Sequence, residues 1–400
     1  MINPHATART PPAPQQHEPG AGPAIPQALS GALTRHGYRT TKRCTTVLAA
    51  GLSTVLGLVD WTGATAAQTV GMPARRAPEP VPPVLGLGDR SRWIDLDGPV
   101  HYLDFGGPAD GPTVVCVHGL AGFAVNWSAI APLLTGRYRV LAPDLAGHGL
   151  TRSEGRGTDV AANRALLHRF IGAVAPSPTS PVILIGNSMG GMISLLEAAA
   201  APGAVAGLVL IDPVLPLAPA RPDPLVTPML AAYATPGLGP VLMGRRRRLS
   251  PEALVASVLA LCCVDASRVP ADVLAQHVAV ARHRLLFTDA EQEFAAAARS
   301  IAANMGYLRG GPYRRAIRSV TCPVLLLHGA RDRLVPVAIA RAAARANPGW
   351  TLAVLPGVGH LPQLEAPGDT AGAITGWLGD QYGKPATEVA ATTTPAAAAA

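Results

Sequence analysis

The sequence predicts an α/β fold: a mostly parallel β-sheet covered by helices on both faces, with an inserted α-helical cap. Two observations lead to this prediction. From residue 93 onward, short continuous apolar runs of strand length alternate with helical stretches, which is typical of parallel strands buried on both faces. The long stretch from Asp212 to Val320 shows helical patterns but no convincing strand. A helical block between two strands of one sheet indicates a cap.

The strands are predicted from their apolar runs and from the turns between them. Two short strands come first, Trp93–Leu96 and Val100–Leu103, because Asp97-Gly98-Pro99 between them is a turn sequence. Six buried strands are predicted after them: Thr113–Val117, Tyr138–Ala142, Pro181–Ile185, Gly207–Ile211, Pro323–Leu327 and Thr351–Leu355.

The predicted cap spans residues 213–320 and divides a core formed by residues 93–212 and 321–380. Proline near the start of a helix is a common initiation signal, and two of the predicted cap helices follow Ser250-Pro251 and Pro270. The predicted cap helices are Pro228–Ala234, Glu252–Val264, Ala271–Leu286 and Ala290–Asn304.

The two ends of the chain differ in composition from this core. Residues 1–34 are rich in Pro, Ala and Gln and are predicted to be disordered, and the Thr/Ala-rich residues 381–400 form a flexible tail. Residues 35–70 combine a basic cluster with an apolar run at 45–59, which fits a leader, a membrane anchor or a docking helix. Export, membrane association and a cytoplasmic location therefore all stay open. Residues 71–92 are predicted to be a linker.

Composition and charge exclude several classes of function. Residues 1–92 hold nine Lys or Arg and four Asp or Glu, so they carry +5 of the net charge of +8. The rest of the chain is nearly neutral, which argues against a nucleic-acid partner. We find no Walker loop, no dinucleotide fingerprint and no metal-ligand spacing, so we expect no cofactor and no metal. The cysteines are odd in number and mostly have apolar neighbours, so we do not expect a disulfide framework: Cys44, Cys116, Cys262, Cys263 and Cys322.

The most specific motif is Gly186-Asn187-Ser188-Met189-Gly190, which lies directly after a predicted strand and directly before a helical stretch. Glycines two residues on either side of a serine allow a sharp strand-to-helix turn in which the serine backbone is strained. The serine hydroxyl then projects above the carboxyl edge of the sheet. The motif therefore makes Ser188 the candidate nucleophile.

A serine hydroxyl is a poor nucleophile unless a base removes its proton. His360 lies in a Gly-rich turn after the strand Thr351–Leu355, where it can reach Ser188. Asp332 follows the strand Pro323–Leu327 and is the candidate acid that orients the His360 ring. Asp212, which follows the strand Gly207–Ile211, is the alternative acid.

Two backbone N–H groups are needed to stabilise the oxyanion of an acyl-transfer intermediate. One is expected from Met189, the residue after the candidate nucleophile. The other is expected from Leu120, in the loop His118-Gly119-Leu120-Ala121-Gly122 that follows the strand Thr113–Val117.

These motifs, together with the segment Pro143–Gly149, resemble the α/β-hydrolase superfamily over about Trp93–Asp380. The resemblance implies the fold and a Ser–His–Asp triad, but it does not identify the substrate. The sequence Asn187–Gly191 is similar both to carbon–carbon bond hydrolases and to many esterases. The segment from Asp144 to His148 is expected to form a structural turn rather than to contact substrate.

The function predicted is that of a serine hydrolase that cleaves a carboxylic ester of an apolar small molecule or lipid through an acyl-enzyme. Apolar cap residues favour such a substrate: Leu225, Met229, Leu230, Leu242, Met243, Leu254 and Leu261. A carbon–carbon bond hydrolase or a cofactor-free perhydrolase would use the same triad and stays an alternative. A catalytically silent binding protein of the same fold is a further alternative.

Overall fold

The computed structural model describes residues 86–175, 180–216, 248–306 and 311–383, together with 228, 232, 233, 235 and 237–246. Residues 1–34, the apolar run at 45–59, most of the predicted linker and nearly all of the predicted tail lie outside these ranges. Most of the predicted helix Pro228–Ala234 lies outside them too.

An eight-stranded sheet lies at the centre of the described residues, in the order β1-β2-β4-β3-β5-β6-β7-β8. β2 pairs antiparallel with β1 and β4, and every other neighbouring pair is parallel. The strands are β1 (Ser91–Asp95), β2 (Pro99–Gly106), β3 (Thr113–Val117), β4 (Arg139–Pro143), β5 (Val182–Asn187), β6 (Val205–Ile211), β7 (Val324–Gly329) and β8 (Trp350–Leu355).

The mostly parallel α/β sheet predicted from the sequence is confirmed, with small shifts in the strand ends. β1 begins at Ser91, so residues 91 and 92 belong to a strand rather than to the predicted linker. Several strands run past their apolar residues, as β7 does into His328 and Gly329, because the backbone pairing with β8 continues there.

Helices cover the sheet and fill the insertion between β6 and β7. Outside the insertion are α1 (Val160–Val174), α2 (Met189–Ala200), α8 (Val337–Ala346), α9 (Pro362–Glu365) and α10 (Pro367–Tyr382). Within it are α3 (Leu238–Arg246), α4 (Pro251–Cys262), α5 (Ala271–Arg284), α6 (Ala290–Met305) and α7 (Pro312–Ser319). α10 continues two residues past the predicted end of the core, into the start of the predicted tail. None of the helices described is long and apolar enough to cross a membrane.

Alternate residues of the strands enter two separate cores. Val115 and Val117 of β3 pack in a cluster with α1, α2 and α8, whereas Val114 and Cys116 pack in a second cluster with α10. Successive side chains of a strand point to opposite faces, so strands buried on both faces must be apolar at every position. This is why the strands appear as continuous apolar runs in the sequence.

Helices α4, α5 and α6 lie close to their predicted positions, and the first two begin at the predicted local signals, Ser250-Pro251 and Pro270. In α4, the Ser250 hydroxyl accepts a hydrogen bond from the Ala253 amide over 3.2 Å, and Pro251 occupies the first turn. Helices α3 and α7 were not predicted. α7 has only two buried side chains, Tyr313 and Ile317, among arginines, so its apolar pattern is too short to recognise. It is held by a 2.7 Å hydrogen bond from the Tyr313 hydroxyl to the Val214 carbonyl.

Candidate active site

Ser188 lies at the junction between β5, which ends at Asn187, and α2, which begins at Met189. Its backbone has φ 56° and ψ −116°, a conformation that residues other than glycine rarely adopt. Such strain costs about 1–3 kcal/mol and is found mainly at functional sites. The strand-to-helix context predicted for the motif is therefore present, with its strain located on the serine.

The glycines of the motif are required by close backbone contacts. A Cβ on Gly186 would lie 2.5 Å from the carbonyl oxygen of Gly190, and a Cβ on Gly190 would overlap the carbonyl oxygen of Val117. A Cβ on Gly119 would lie 3.0 Å from the Cβ of Ser188. The small residues thus let α2 and the loop after β3 approach the serine.

His360 and Asp332 form a buried hydrogen-bonded pair. The Nδ1 atom of His360 donates to Oδ2 of Asp332 over 2.7 Å, and Oδ1 of Asp332 accepts from the amides of Leu334 (2.8 Å) and Val335 (3.0 Å). Burial opposes ionisation of Asp332, but the charge and hydrogen bond of His360 outweigh it and lower the pKa of the carboxyl. The pairing favours an ionised Asp332 and fixes the proton of His360 on Nδ1.

The loop that carries His360 is tied to the turn that carries Ser188. The side-chain Nδ2 of Asn187 donates to the carbonyl of His360 and to the carbonyl of Ile211, each over 3.1 Å. The amide of His360 donates to the Cys262 carbonyl over 2.6 Å. Ser188, Asp332 and His360, which follow three different strands, are thus brought to one edge of the sheet.

Asp212 lies at the same edge, at the end of β6, but its contacts differ from those of Asp332. Its Oδ1 accepts from the Gly329 amide over 3.0 Å and lies 3.2 Å from Nε2 of His328. Complete burial, followed by the nearby charge of Asp332, raises the pKa of Asp212 well above its usual value. The two candidate acids therefore differ in protonation, and Asp332 is the one that bonds His360.

Asp212, Asp332 and His360 also place one ligand-type atom each within 4.8 Å of one another. Such a cluster could hold a metal ion. However, Nδ1 of His360 and Oδ2 of Asp332 already bond each other, and the raised pKa of Asp212 favours its protonated form, which is a poor ligand. The donor set fits a hydrogen-bonded dyad with a neutral neighbour better than a metal site.

The loop after β3 is fixed next to Ser188 by its own hydrogen bonds. The His118 ring accepts from the Leu145 amide over 3.1 Å and donates to the Gly119 carbonyl over 2.8 Å, and Gly122 donates to the same carbonyl over 3.0 Å. Leu120 follows Gly119 in this loop. Met189 begins α2, where first-turn amides have no partner within the helix. The segments that carry the two predicted oxyanion donors thus lie next to the serine, and the donor role of these two amides stays a prediction.

Asp144 fixes the turn after β4. Its carboxylate, 2% exposed, accepts from the amides of Ala124 (2.7 Å) and Leu150 (2.9 Å) and from the His101 ring (2.7 Å). These bonds agree with the structural turn expected for this segment. His148, in the same segment, instead lines a cavity, which the sequence pattern did not indicate.

This cavity, of about 160 Å³, lies between the chain after β3 and helices α4, α5 and α6. Most of its wall is apolar, and it includes Leu254, Val258, Leu259, Phe287, Phe294 and Leu361. Leu254 was among the cap residues expected to favour an apolar substrate, whereas Leu225, Met229 and Leu230 lie outside the described residues. Leu361, the residue after His360, belongs to the wall, so the cavity reaches the chain that carries His360, although Ser188, Asp332 and His360 are not among its lining residues.

Comparisons with known proteins agree with this architecture. Residues 114–373 match the family described as the alpha/beta hydrolase family. A pimeloyl-[acyl-carrier protein] methyl ester esterase of Aromatoleum aromaticum is 30% identical over 272 residues, covering 65% of this chain and 95% of that protein. The magnesium-chelatase 30 kDa subunit of Rhodobacter capsulatus is 30% identical over 281 residues, covering 68% of this chain and 88% of that protein.

A solved structure is similar as well. An esterase from Thermogutta terrifontis matches with a TM-score of 0.52 and 25% identity, over 72% of this chain and 98% of that chain. The names of these relatives differ in chemistry, so the matches establish the family rather than a substrate. The family match over residues 114–373, together with the sheet order and the strained serine turn, shows that this chain is a hydrolase that belongs to the α/β-hydrolase family.

Proposed function

We propose that this protein is a serine esterase that cleaves a carboxylic ester of an apolar small molecule or lipid through an acyl-enzyme on Ser188. The observation that carries the proposal is the 2.7 Å bond between His360 and Asp332, in a loop that Asn187 ties to the serine turn. Similarity to esterases of Aromatoleum aromaticum and Thermogutta terrifontis supports an ester as the substrate class.

In the first half of the reaction, Nε2 of His360 takes the proton of the Ser188 hydroxyl as its oxygen attacks the ester carbonyl carbon. Asp332 stays ionised and accepts a hydrogen bond from the Nδ1–H group of His360, which stabilises the imidazolium that forms. The amides of Met189 and Leu120 donate to the oxyanion of the tetrahedral intermediate. Each such donor contributes about 2.7–4 kcal/mol to stabilising the transition state.

Collapse of this intermediate breaks the bond to the alcohol, and His360 gives its proton to the departing alcohol oxygen. A water molecule then attacks the acyl-enzyme while His360 acts as base again, which releases the acid and restores Ser188. The cavity beside His360 is mainly apolar and would hold the apolar part of the ester.

The proposal is tested with Ser188→Ala on p-nitrophenyl esters of graded chain length. We expect hydrolysis to fall by at least about 10³-fold without loss of the fold, because the other groups retain only residual catalysis. Ser194→Ala is a matched control, since Ser194 lies on the same helix α2 and its buried hydroxyl makes no hydrogen bond within the described residues. A Ser188→Ala enzyme with most of its activity would contradict the proposal.

A fluorophosphonate probe separates the alternatives. It should label the wild-type protein and Ser194→Ala but not Ser188→Ala. Folded protein that is not labelled at Ser188 would indicate a catalytically silent binding protein. Labelled protein that turns over dienone acids but no ester would indicate a carbon–carbon bond hydrolase.

A further inference from the structure

We infer that Nε2 of His148 is a substrate-selecting hydrogen-bond acceptor, which favours esters that place a hydroxyl or N–H group in the cavity beside His360. The inference rests on the proposed esterase function and adds a chemical requirement to it. The apolar wall of the cavity by itself would accept any apolar chain. The Nε2 atom of His148 adds the requirement for a hydrogen-bond donor at one point of that wall.

The protonation of the His148 ring follows from its contacts. Nδ1 lies 3.1 Å from the carbonyl oxygen of Ala146, and a carbonyl can only accept, so Nδ1 carries the proton. Burial, and then the nearby His118 and Arg284, lower the pKa of His148 to about 3. The ring is therefore neutral at ordinary pH, and its Nε2 atom presents a lone pair.

This lone pair is buried without a partner. His148 is 2% exposed, and within the described part of the chain nothing forms a hydrogen bond to its Nε2. Buried polar atoms of folded proteins nearly always have a partner, so an unpaired one calls for an occupant. His148 lines the cavity, and the missing donor would come from a molecule bound there.

The chain on each side of His148 is held in place, which makes the acceptor rigid. Arg284 donates from Nη2 to the Gly147 carbonyl and from Nη1 to the Gly149 carbonyl, each over 2.9 Å. The His148 ring also packs against the His118 ring, with centroids 5.3 Å apart. A fixed acceptor selects ligands more sharply than a mobile one because it cannot turn away from a ligand that lacks the donor.

The other histidine of the cavity does not offer a comparable acceptor. The Nδ1 atom of His277 lies 2.8 Å from the Val273 carbonyl, and its Nε2 lies 3.3 Å from Oδ1 of Asn126. Arg284, which bonds the carbonyls on either side of His148, also lines the cavity, as do Asn126 and Glu291, and the rest of the wall is mainly apolar. A ligand that places only methylene groups next to Nε2 excludes water and leaves this atom without a hydrogen-bond partner. A ligand that places an ether, carbonyl or carboxylate oxygen there brings two acceptors together.

The experiment compares p-nitrophenyl esters of ω-hydroxyalkanoic and alkanoic acids of equal length, over a series of chain lengths. Each kcat/KM is divided by the rate constant for hydroxide hydrolysis of the same ester. At the length that reaches His148, we expect the wild type to prefer the hydroxylated ester by about tenfold, as is usual for one matched polar contact. His148→Phe should remove this preference, whereas His148→Gln should keep part of it because the amide oxygen can accept.

His168→Phe is the control, because His168 is exposed on α1 and bonds Glu197 away from the cavity. It should keep the wild-type preference. If Phe is not accommodated at position 148, His148→Met provides the same apolar replacement with a flexible side chain. Labelling of each variant by the fluorophosphonate probe shows that the serine site is intact.

The inference is overturned if the wild type shows no preference for the hydroxylated ester at any length, or if His148→Phe keeps the preference. In both cases, Ser188-dependent hydrolysis of the plain alkanoate esters would still support the proposed function. Absence of any Ser188-dependent hydrolysis would instead overturn the proposed function and the inference together.

Discussion

The side-chain amide of Asn187 donates to the backbone carbonyl of His360 over 3.1 Å, although the two residues are 173 positions apart in the chain. The same nitrogen bonds the Ile211 carbonyl at the end of β6. One carboxamide therefore joins the serine turn, the neighbouring strand and the loop that carries the candidate base.

Replacing Asn187 with Ala should lower kcat about tenfold or more and change KM little. The His360 carbonyl would lose its donor and the loop would move relative to Ser188, and small misplacements of catalytic groups have large effects on rate. Steady-state kinetics on a p-nitrophenyl ester checks this. Asn304→Ala is the control and should retain the wild-type kcat, because among the residues that the structure describes Asn304 bonds only the Ser300 carbonyl of its own helix. An unchanged kcat in Asn187→Ala would contradict this role.

The two candidate acids should respond differently to conversion into asparagine. Asp332→Asn removes the negative charge that bonds the Nδ1–H group of His360 and no longer fixes its tautomer, so it should lower kcat by about 10³–10⁴. Asp212→Asn should lower it less than about tenfold, because burial and the charge of Asp332 already favour a neutral carboxyl that Asn resembles. Steady-state kinetics of the two variants checks this. If Asp212→Asn lowers kcat more than Asp332→Asn does, the assignment of Asp332 as the acid is wrong.

The glycines of the serine turn should be far less tolerant than glycines elsewhere. Gly190→Ala should destabilise the protein and abolish activity, because its Cβ would overlap the Val117 carbonyl, which is backbone and cannot rotate away. Gly172→Ala, in α1 with open space around it, should stabilise the fold by about 0.5–1 kcal/mol. Thermal unfolding of both variants measures the contrast. Similar changes in unfolding temperature for Gly190→Ala and Gly172→Ala would refute the steric argument.

Stability should fall as the pH is lowered from 7 to 5. Burial lowers the pKa of His277 to about 4 and that of His148 to about 3, whereas the unfolded chain takes up protons below about 6.5. Between these pKa values the unfolded state therefore binds more protons than the folded state. At pH 5, each of the two histidines lowers the free energy of unfolding by about 2 kcal/mol. Urea unfolding at both pH values checks this.

The variant His277→Gln separates the contribution of one histidine. Its loss of stability between pH 7 and pH 5 should be smaller than that of the wild type by about 2 kcal/mol. An identical pH dependence in the two proteins would show that His277 is not buried in its neutral form.

Much of the fold could be predicted from the sequence because its signals are local. Burial on both sheet faces makes β3, β5, β6 and β7 continuous apolar runs, and Ser250-Pro251 begins α4 wherever that helix packs. Strand ends were harder to predict, since pairing with a neighbour carries β7 past its apolar residues. Helix α7 was missed because its position depends on the bond from Tyr313 to Val214, which is a tertiary contact.

By itself, the sequence determined the alternation of strands and helices and the presence of a serine in a turn that only glycines permit, because short-range sterics and apolar patterning are properties of neighbouring residues. The tertiary structure alone decided that Asp332 rather than Asp212 bonds His360, and that His148 lines a cavity while its buried Nε2 has no partner within the described residues. Both outcomes depend on how loops from distant strands pack against one another, and packing sets the direction of a side chain in a way that no local pattern encodes.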